Sequence, residues 1–193
     1  MTRGLRWRVF VLQVGLVGIL GFVAGFAFWA SNFATGQVTT QLTEQKITFP
    51  AANSPAITAL PAADAAAMGA YAGQTMTTGP QAETYADHFI AVHLQEIGGG
   101  LTYAQFPPTG LTPQQTAQKA ALFQGETLRG LLLNAYGWWQ IGQYAQYAAI
   151  GLSIAAFAVL LAFAFELAVW RRSTAGTPAA DRATVAARMT RVA

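Results

Sequence analysis

The chain contains two histidines, His88 and His93, whose side chains could bind a metal ion or transfer a proton near neutral pH. They lie five positions apart in a segment with helical periodicity. At about 100° per residue, this spacing puts the two imidazoles roughly 140° apart on a regular helix, so one metal ion cannot bind both. The sequence therefore predicts no metal site, with His88 exposed and His93 buried and bonded to a carboxylate, tyrosine or carbonyl. The apolar stripe around His93 comprises Ala82, Ala86, Phe89, Ile90 and Ile97.

Carboxylates form the second pattern that could do chemistry. Glu83 and Asp87 lie one helical turn apart, a spacing open to general acid–base catalysis but more typical of a solvated helix face. Glu126 and Arg129, three positions apart, predict either an ion pair on the helix surface or a structural contact with the histidine-bearing helix. With His93 and Glu166, they are the candidate buried polar side chains.

Glu166 lies inside a long apolar run, where a carboxylate is costly and suggests a function. The alternatives are a proton or ion path and a structural pairing with Arg171 or Arg172, five or six positions later. The sequence favours the structural pairing, near the lipid headgroups.

The motifs of the common enzyme classes are missing from the sequence. Gly98–Gly100 lacks the Lys-Ser/Thr pair of a phosphate-binding loop, and neither GxSxG, HExxH nor a dinucleotide fingerprint occurs. We therefore expect no catalytic residues, no cofactor and no metal, and a protein that is not an enzyme.

Two apolar runs must position all of these side chains. Residues 9–34 and 147–170 are each long enough to cross a bilayer core of about 30 Å. Eight of the eleven Lys and Arg residues lie in residues 1–8 and 171–193, a distribution that places both ends in the cytoplasm and residues 35–146 outside. The first run exceeds the usual length of the apolar region of a cleaved signal peptide and is interpreted as a signal anchor. The basic tail, residues 171–193, is predicted to be mostly disordered.

Composition supports this assignment. Charged residues make up only 10% of the chain and apolar residues 53%, too few charges for an ordinary soluble domain. The net charge of +3 arises at the two ends, because residues 35–146 carry three cations against six acids. A nucleic-acid partner is therefore not expected. The chain has no cysteine, so no disulfide stabilises the predicted outer segment.

Helix signals fill that outer segment. The alanine-rich residues 62–76 favour a helix, and Thr78–Gln81 forms a start signal for a second helix that ends before Gly98–Gly100. Thr112–Gln115 repeats the start signal, and the helix after it is predicted to continue into the second apolar run. The predicted fold class is an all-α membrane protein: two antiparallel transmembrane helices with a mainly helical extracytoplasmic domain between them.

Small and aromatic residues are expected at defined places on the spans. Small side chains allow close helix approach, either between the two spans or against another subunit. Trp and Tyr are expected at the membrane surfaces. The predicted packing residues are Gly18, Gly21, Gly25, Gly151, Ala155, Ala158 and Ala162, and the predicted interfacial aromatics are Trp29, Trp138, Trp139, Tyr144, Tyr147 and Trp170.

Residues 70–74, 85–94 and 123–136 together resemble a family of actinobacterial two-span membrane proteins with no established activity. The resemblance covers most of residues 10–170. It implies a location in the plasma membrane and brings no catalytic residues.

The function that these patterns favour is that of a membrane-anchored accessory protein, which presents its helical outer domain to other proteins. Its expected partners are the lipid bilayer and other membrane subunits or further copies of itself. The first alternative is a small homo-oligomeric two-span channel, and the second is an extracytoplasmic enzyme.

Overall fold

The computed structural model describes residues 3–175, and within this range the fold is helical, with no β-strand. A π-helical turn, Ala86–Ile90, separates α4 from α5, and one 3₁₀ turn covers Tyr103–Gln105. The α-helices are α1 Arg3–Gln45, α2 Pro55–Thr58, α3 Ala62–Gly69, α4 Gly79–Tyr85, α5 Ala91–Gly98 and α6 Pro113–Ala175.

Helices α1 and α6 are long and apolar enough to cross a membrane. They contain 43 and 63 residues, and their most apolar windows reach mean hydropathies of 2.3 and 2.5. A core helix of a soluble protein would be largely buried over such a window, whereas here only 6% and 11% of the two windows is buried. The prediction that the helix after Thr112 continues into the second apolar run is confirmed.

Helix α6 also extends beyond the predicted end of the second span. Residues 171–175 are helical, so the prediction of a disordered tail from residue 171 is wrong for this short stretch. Because helix propagation adds one backbone hydrogen bond per residue, a helix does not have to end where its apolar run ends. Residues 176–193 lie outside the described part of the chain.

The chain divides into two compact units. One, the terminal unit, combines residues 1–27 with residues 147–193, and the other, the central unit, comprises residues 28–146.

Inward-facing residues in the terminal unit recur every three or four positions on both helices. Phe10 contacts Phe163 and Trp170, with ring-centroid distances of 5.4 and 6.2 Å. Such spacing is the pattern of helices that pack at a shallow angle. The buried and half-buried positions are 6, 9, 10, 13, 17, 20, 24 and 27 on α1 and 149, 152, 156, 159, 163 and 167 on α6.

The small residues predicted to pack the two spans together lie one position away from these stripes and are exposed. A one-residue offset turns a side chain by about 100°, which moves it off the contact face. Ala24, Ala149 and Ala156 supply the small buried side chains instead. Packing between the spans of one chain is therefore the wrong role for the predicted set, while packing against another subunit stays a prediction. The exposed set is Gly18, Gly21, Gly25, Gly151, Ala155, Ala158 and Ala162.

The central unit has one main apolar core. Phe49, Met68 and Met76 are almost completely buried, and they pack with residues from α1, α4 and α6. A short antiparallel bridge between Thr48 and Thr75 closes the connection next to this core. The bridge makes the chain extended at Thr48, and α3 ends at Gly69 rather than running to residue 76 as predicted. The core cluster comprises Val38, Leu42, Phe49, Ile57, Met68, Met76, Ala82, Ala86 and Leu132.

A second, smaller core holds α5 against α6. Leu94, Phe106 and Leu122 are buried together, and Ile90 is packed against both cores. Gly125 lets Leu94 approach closely, because a Cβ atom at position 125 would overlap the Leu94 methyl groups. This cluster fixes the orientation of the segment that carries both histidines.

Candidate functional site

An open groove of about 660 Å³ runs along the central unit. One wall is the α1 segment 33–45, and the other is the α6 segment 128–138. The volume lies within the range of about 300–1,000 Å³ that is typical of ligand sites. The lining residues are Phe33, Ala34, Gln37, Val38, Gln41, Leu42, Gln45, Ile47, Leu128, Leu131, Leu132, Asn134, Ala135 and Trp138.

The two walls differ in chemistry. Gln37, Gln41 and Gln45 follow one another at four-residue spacing on α1, so their exposed amides form a row along one face. The α6 wall is apolar except for Asn134, and Leu131 and Trp138 are 63% and 53% exposed. None of the lining residues carries a charge. The groove therefore suits an apolar surface that also offers neutral hydrogen-bonding groups.

Close packing of α1 and α6 forms the floor of this groove. Val38, Leu42 and Leu132 are buried in the main core. At Gly142, an added Cβ would lie 2.7 Å from Thr35 Cγ2 and 3.3 Å from the carbonyl oxygen of Ser31, so only glycine permits this approach without a shift. The flanking side chains diverge above the buried floor and leave the groove between them.

A polar cluster joins α6 to the π-helical turn. Arg129 Nη2 donates a hydrogen bond to Asp87 Oδ1 at 2.7 Å, and Arg129 Nη1 lies 3.6 Å from Glu126 Oε2. The hydrogen bond to Asp87 is the main reason that the pKa of Arg129 is raised above its ordinary value. The predicted contact between this pair and the histidine-bearing helix is confirmed. The predicted burial of Glu126 is wrong, because its side chain is 45% exposed.

The histidines have separate partners. His88 Nδ1 lies 2.7 Å from Asp64 Oδ1 of α3, and His93 Nδ1 lies 2.7 Å from the carbonyl oxygen of Phe89. The predicted carbonyl partner of His93 is confirmed, but this side chain is only half-buried, so its predicted burial is wrong. Within residues 3–175, no group of three or more His, Cys, Asp or Glu side chains could hold a metal ion.

The π-helical turn explains why the predicted stripe is confirmed only in part: Ala82 and Ala86 are buried and Phe89 and Ile90 pack against the main core, whereas the end of the stripe does not. Ala82, Ala86, Leu94 and Gly98 are the buried positions, each a multiple of four residues from the others, and Ile97 is exposed. On a regular helix, the side chains of the first and the last of these positions would point about 160° apart around the helix axis. The wider turn accommodates about one extra residue. This reduces the angle between them to roughly 60° and brings these positions toward one face.

The predicted interfacial aromatics divide into two groups. Trp139 is half-buried and packs against the main core, where an added Cβ on Gly79 would overlap it, so its interfacial role stays a prediction. The other five have exposed side chains, as a membrane surface would require; these are Trp29, Trp138, Tyr144, Tyr147 and Trp170.

A smaller cavity of about 180 Å³ lies in the terminal unit, beside Glu166. Glu166 is exposed rather than buried, and Arg6 lines the same cavity. The sequence pointed to Arg171 and Arg172 as partners of Glu166 and gave Arg6 only a role in topology. Sequence spacing cannot reveal Arg6, because it lies 160 positions before Glu166. The other lining residues are Val9, Phe10, Phe165, Val169 and Trp170.

Compared with known proteins, the chain matches no family model, no curated protein and no solved structure. The resemblance to the actinobacterial two-span proteins therefore stays a prediction.

Proposed function

We propose that this chain is a two-span protein of the plasma membrane that acts as an accessory subunit, with residues 35–146 outside and both termini in the cytoplasm. In this proposal the apolar parts of α1 and α6 cross the membrane as an antiparallel pair. The excess of Lys and Arg at both ends of the sequence supports this orientation.

The observation that carries the accessory role is the uncharged groove in the central unit. Leu128, Leu131, Ala135 and Trp138 follow one another at intervals of three, four and three residues, the spacing of a helix-packing seam. Three of these side chains remain exposed, so the seam is available to a further helix. We propose that a partner subunit places one helix here, with its apolar side on α6 and neutral polar side chains on the glutamine row.

Site-specific photocrosslinking in cells tests this role. A photoreactive residue at Leu131 should capture one partner protein, while the same probe at the exposed position Leu101, outside the groove, should not. Peptide mapping of the adduct should place the crosslink on a helical segment of a membrane protein. Leu131→Glu should abolish capture by a probe at Gln41, because a charge would be buried against the partner.

Blue-native electrophoresis separates this function from the channel alternative. A large assembly that shrinks to the single chain in Leu131→Glu is expected for an accessory subunit. A small symmetric oligomer, with adducts formed only between copies of this chain, would favour the channel instead.

The proposed orientation has its own test. Reporter fusions after residue 193 and within residues 100–110 should report opposite compartments. Equal labelling of both sites by a membrane-impermeant reagent in intact cells would contradict the topology.

A further inference from the structure

The 180 Å³ cavity of the terminal unit presents two opposite charges to one space. Arg6 lines it from α1, and Glu166 lines it from α6. Among the described residues, these two side chains form no direct ion pair with each other. A cation and an anion that face the same cavity complement a ligand that carries both charges.

Aromatic side chains complete the lining on both helices. Phe10, Phe165 and Trp170 border the cavity, and Phe10 is held by its ring contacts with Phe163 and Trp170. Aromatic faces attract ammonium groups through their quadrupole, most strongly where water is excluded. A cationic group beside Glu166 would therefore find favourable electrostatic surroundings on several sides.

The size of the cavity limits the ligand. About 180 Å³ is below the range of roughly 300–1,000 Å³ that encloses a whole small-molecule ligand. It exceeds the space required by one water molecule by about tenfold. The cavity thus fits a compact charged group whose remaining atoms lie outside it, which describes the headgroup of a lipid.

We propose that Arg6 and Glu166 bind the headgroup of one zwitterionic phospholipid. Arg6 contacts the phosphate, and Glu166 contacts the ammonium group together with the aromatic lining. This inference rests on the proposed membrane placement, since Arg6 precedes the first apolar run and Glu166 lies near the end of the second.

Native mass spectrometry of the full-length protein in a neutral detergent provides the test. Phosphatidylethanolamine, phosphatidylcholine and phosphatidylglycerol with identical acyl chains are added separately to delipidated protein. One molecule of a zwitterionic lipid should be retained, and the anionic lipid should be retained less. Retention of both zwitterionic lipids would show that charge and the aromatic faces hold the ammonium group. Retention of the ethanolamine lipid alone would show that its N–H groups must donate hydrogen bonds to Glu166, because the choline group has none.

Variants connect retention to the cavity. Arg6→Gln and Glu166→Gln should each weaken zwitterionic binding by about tenfold, the loss expected for one charge-assisted hydrogen bond. Glu166→Gln should also shift the preference toward phosphatidylglycerol, because the remaining Arg6 matches an anionic headgroup. Arg8→Gln is the matched control, since Arg8 lies on the same helix, is exposed and does not line the cavity.

A charge swap distinguishes the lipid site from a simple ion pair. The swap combines Arg6→Glu with Glu166→Arg, which keeps an ion pair possible between the two positions and reverses the two charges around the cavity. Two results together would show that Arg6 and Glu166 form only an intramolecular pair, and the proposal would then be wrong. The first is that the swap restores the thermal stability, measured without lipid, that each single variant loses. The second is that lipid retention is the same in all variants. Equal retention of all three lipids by the wild type would also overturn the proposal. A protein that stays monodisperse without detergent would instead contradict the membrane placement.

Discussion

Arg129 connects two helices that lie far apart in the sequence. Its guanidinium bonds to Asp87 of the π-helical turn, 42 positions away, and also approaches Glu126. Both members of the Arg129–Asp87 pair are about one-third exposed, so solvent screens much of their attraction. The pair therefore contributes modestly to stability while fixing the position of α6 against this turn.

Substitution of Arg129 should test that contribution. Arg129→Met keeps most of the apolar stem and removes the charge, and we expect it to lower the free energy of unfolding by about 1 kcal/mol. Asp87→Asn should have an effect of similar size. Chemical denaturation in detergent of the two single variants and the double variant gives the coupling energy. Strictly additive effects would show that the hydrogen bond contributes nothing.

Tyr85 gives the central unit a dependence on alkaline pH. Its ring packs edge-on to Phe49 and against Phe89, and burial raises the pKa of its phenol above the ordinary value of 10.0. Because the folded-state pKa is the higher one, the stabilisation is complete below pH 10 and is lost as pH rises through the folded-state value.

Tyr85→Phe isolates this effect from the other groups that titrate in the same range. The variant should match the wild type near pH 7 and lose less stability above pH 10, as measured by thermal unfolding across a pH series. Tyr103→Phe, on an exposed side chain, is the control. Parallel pH profiles for wild type and Tyr85→Phe would contradict the prediction.

At the scale of elements, local sequence signals located two helix boundaries well, the start of α4 and the end of α5. Thr78 caps α4, with a reciprocal hydrogen bond from its backbone N–H to the Gln81 side chain, and Gly99 ends α5 in the left-handed conformation. These signals depend on neighbours a few residues away. The π-helical turn was not predictable in the same way, because tertiary packing of Ala86 and Leu94 selects it rather than a local residue preference.

Gly79, the first residue of α4, lies directly against Trp139, which packs on the main core. A Cβ atom there would overlap Cβ and Cγ of Trp139, and the Cβ atom cannot move without the α6 backbone. Gly79→Ala should therefore destabilise the protein by about 1–3 kcal/mol in thermal unfolding. Gly130→Ala, in open space on α6, should instead stabilise it by about 0.5–1 kcal/mol. Equal effects of the two substitutions would show that Trp139 does not approach Gly79.

The π-helical turn can be tested by removing one residue from it. Because the turn accommodates one extra residue, deletion of His88 should leave a regular helix that still holds Leu94 against Gly125. We expect its cost to be close to that of His88→Ala, which removes the same side chain and its contact with Asp64. Insertion of one alanine after His88 should instead turn Leu94 away from Gly125 by about 100° and cost at least about 3 kcal/mol, comparable with the removal of a buried leucine. Equal losses for the deletion and the insertion would mean that the turn does not set the register.

For the whole molecule, composition and charge predicted the helical class and the two long apolar helices. Both depend only on how many residues of each type the chain contains and on uninterrupted apolar segments. The groove and the Arg6–Glu166 cavity were not predicted. Gln37, Gln41 and Gln45 have the pattern of an ordinary solvated face, and only the approach of α6 makes them a wall. Contacts between distant segments are set by packing, and one sequence does not reveal them.

The central unit should depend on the helices that enter it. Its core includes Val38 and Leu42 from α1 and Leu132 from α6, so both of its ends take part in packing. Without disulfides, a separate fragment of residues 36–145 must pay the full entropy of bringing these ends together. We expect this fragment to unfold at a lower temperature than the full chain, or to associate. A monomeric fragment with the full-length unfolding temperature would contradict the prediction.

The extra residue in the π-helical turn also has an evolutionary consequence. A homologue with a regular helix at this place would have one residue fewer between the positions equivalent to Ala82 and Gly98. An ungapped alignment would then match each residue after the turn with the wrong counterpart, and the histidine at position 93 would look like a substitution. Homologues of this chain should therefore be sought with a single-residue gap allowed within residues 86–90.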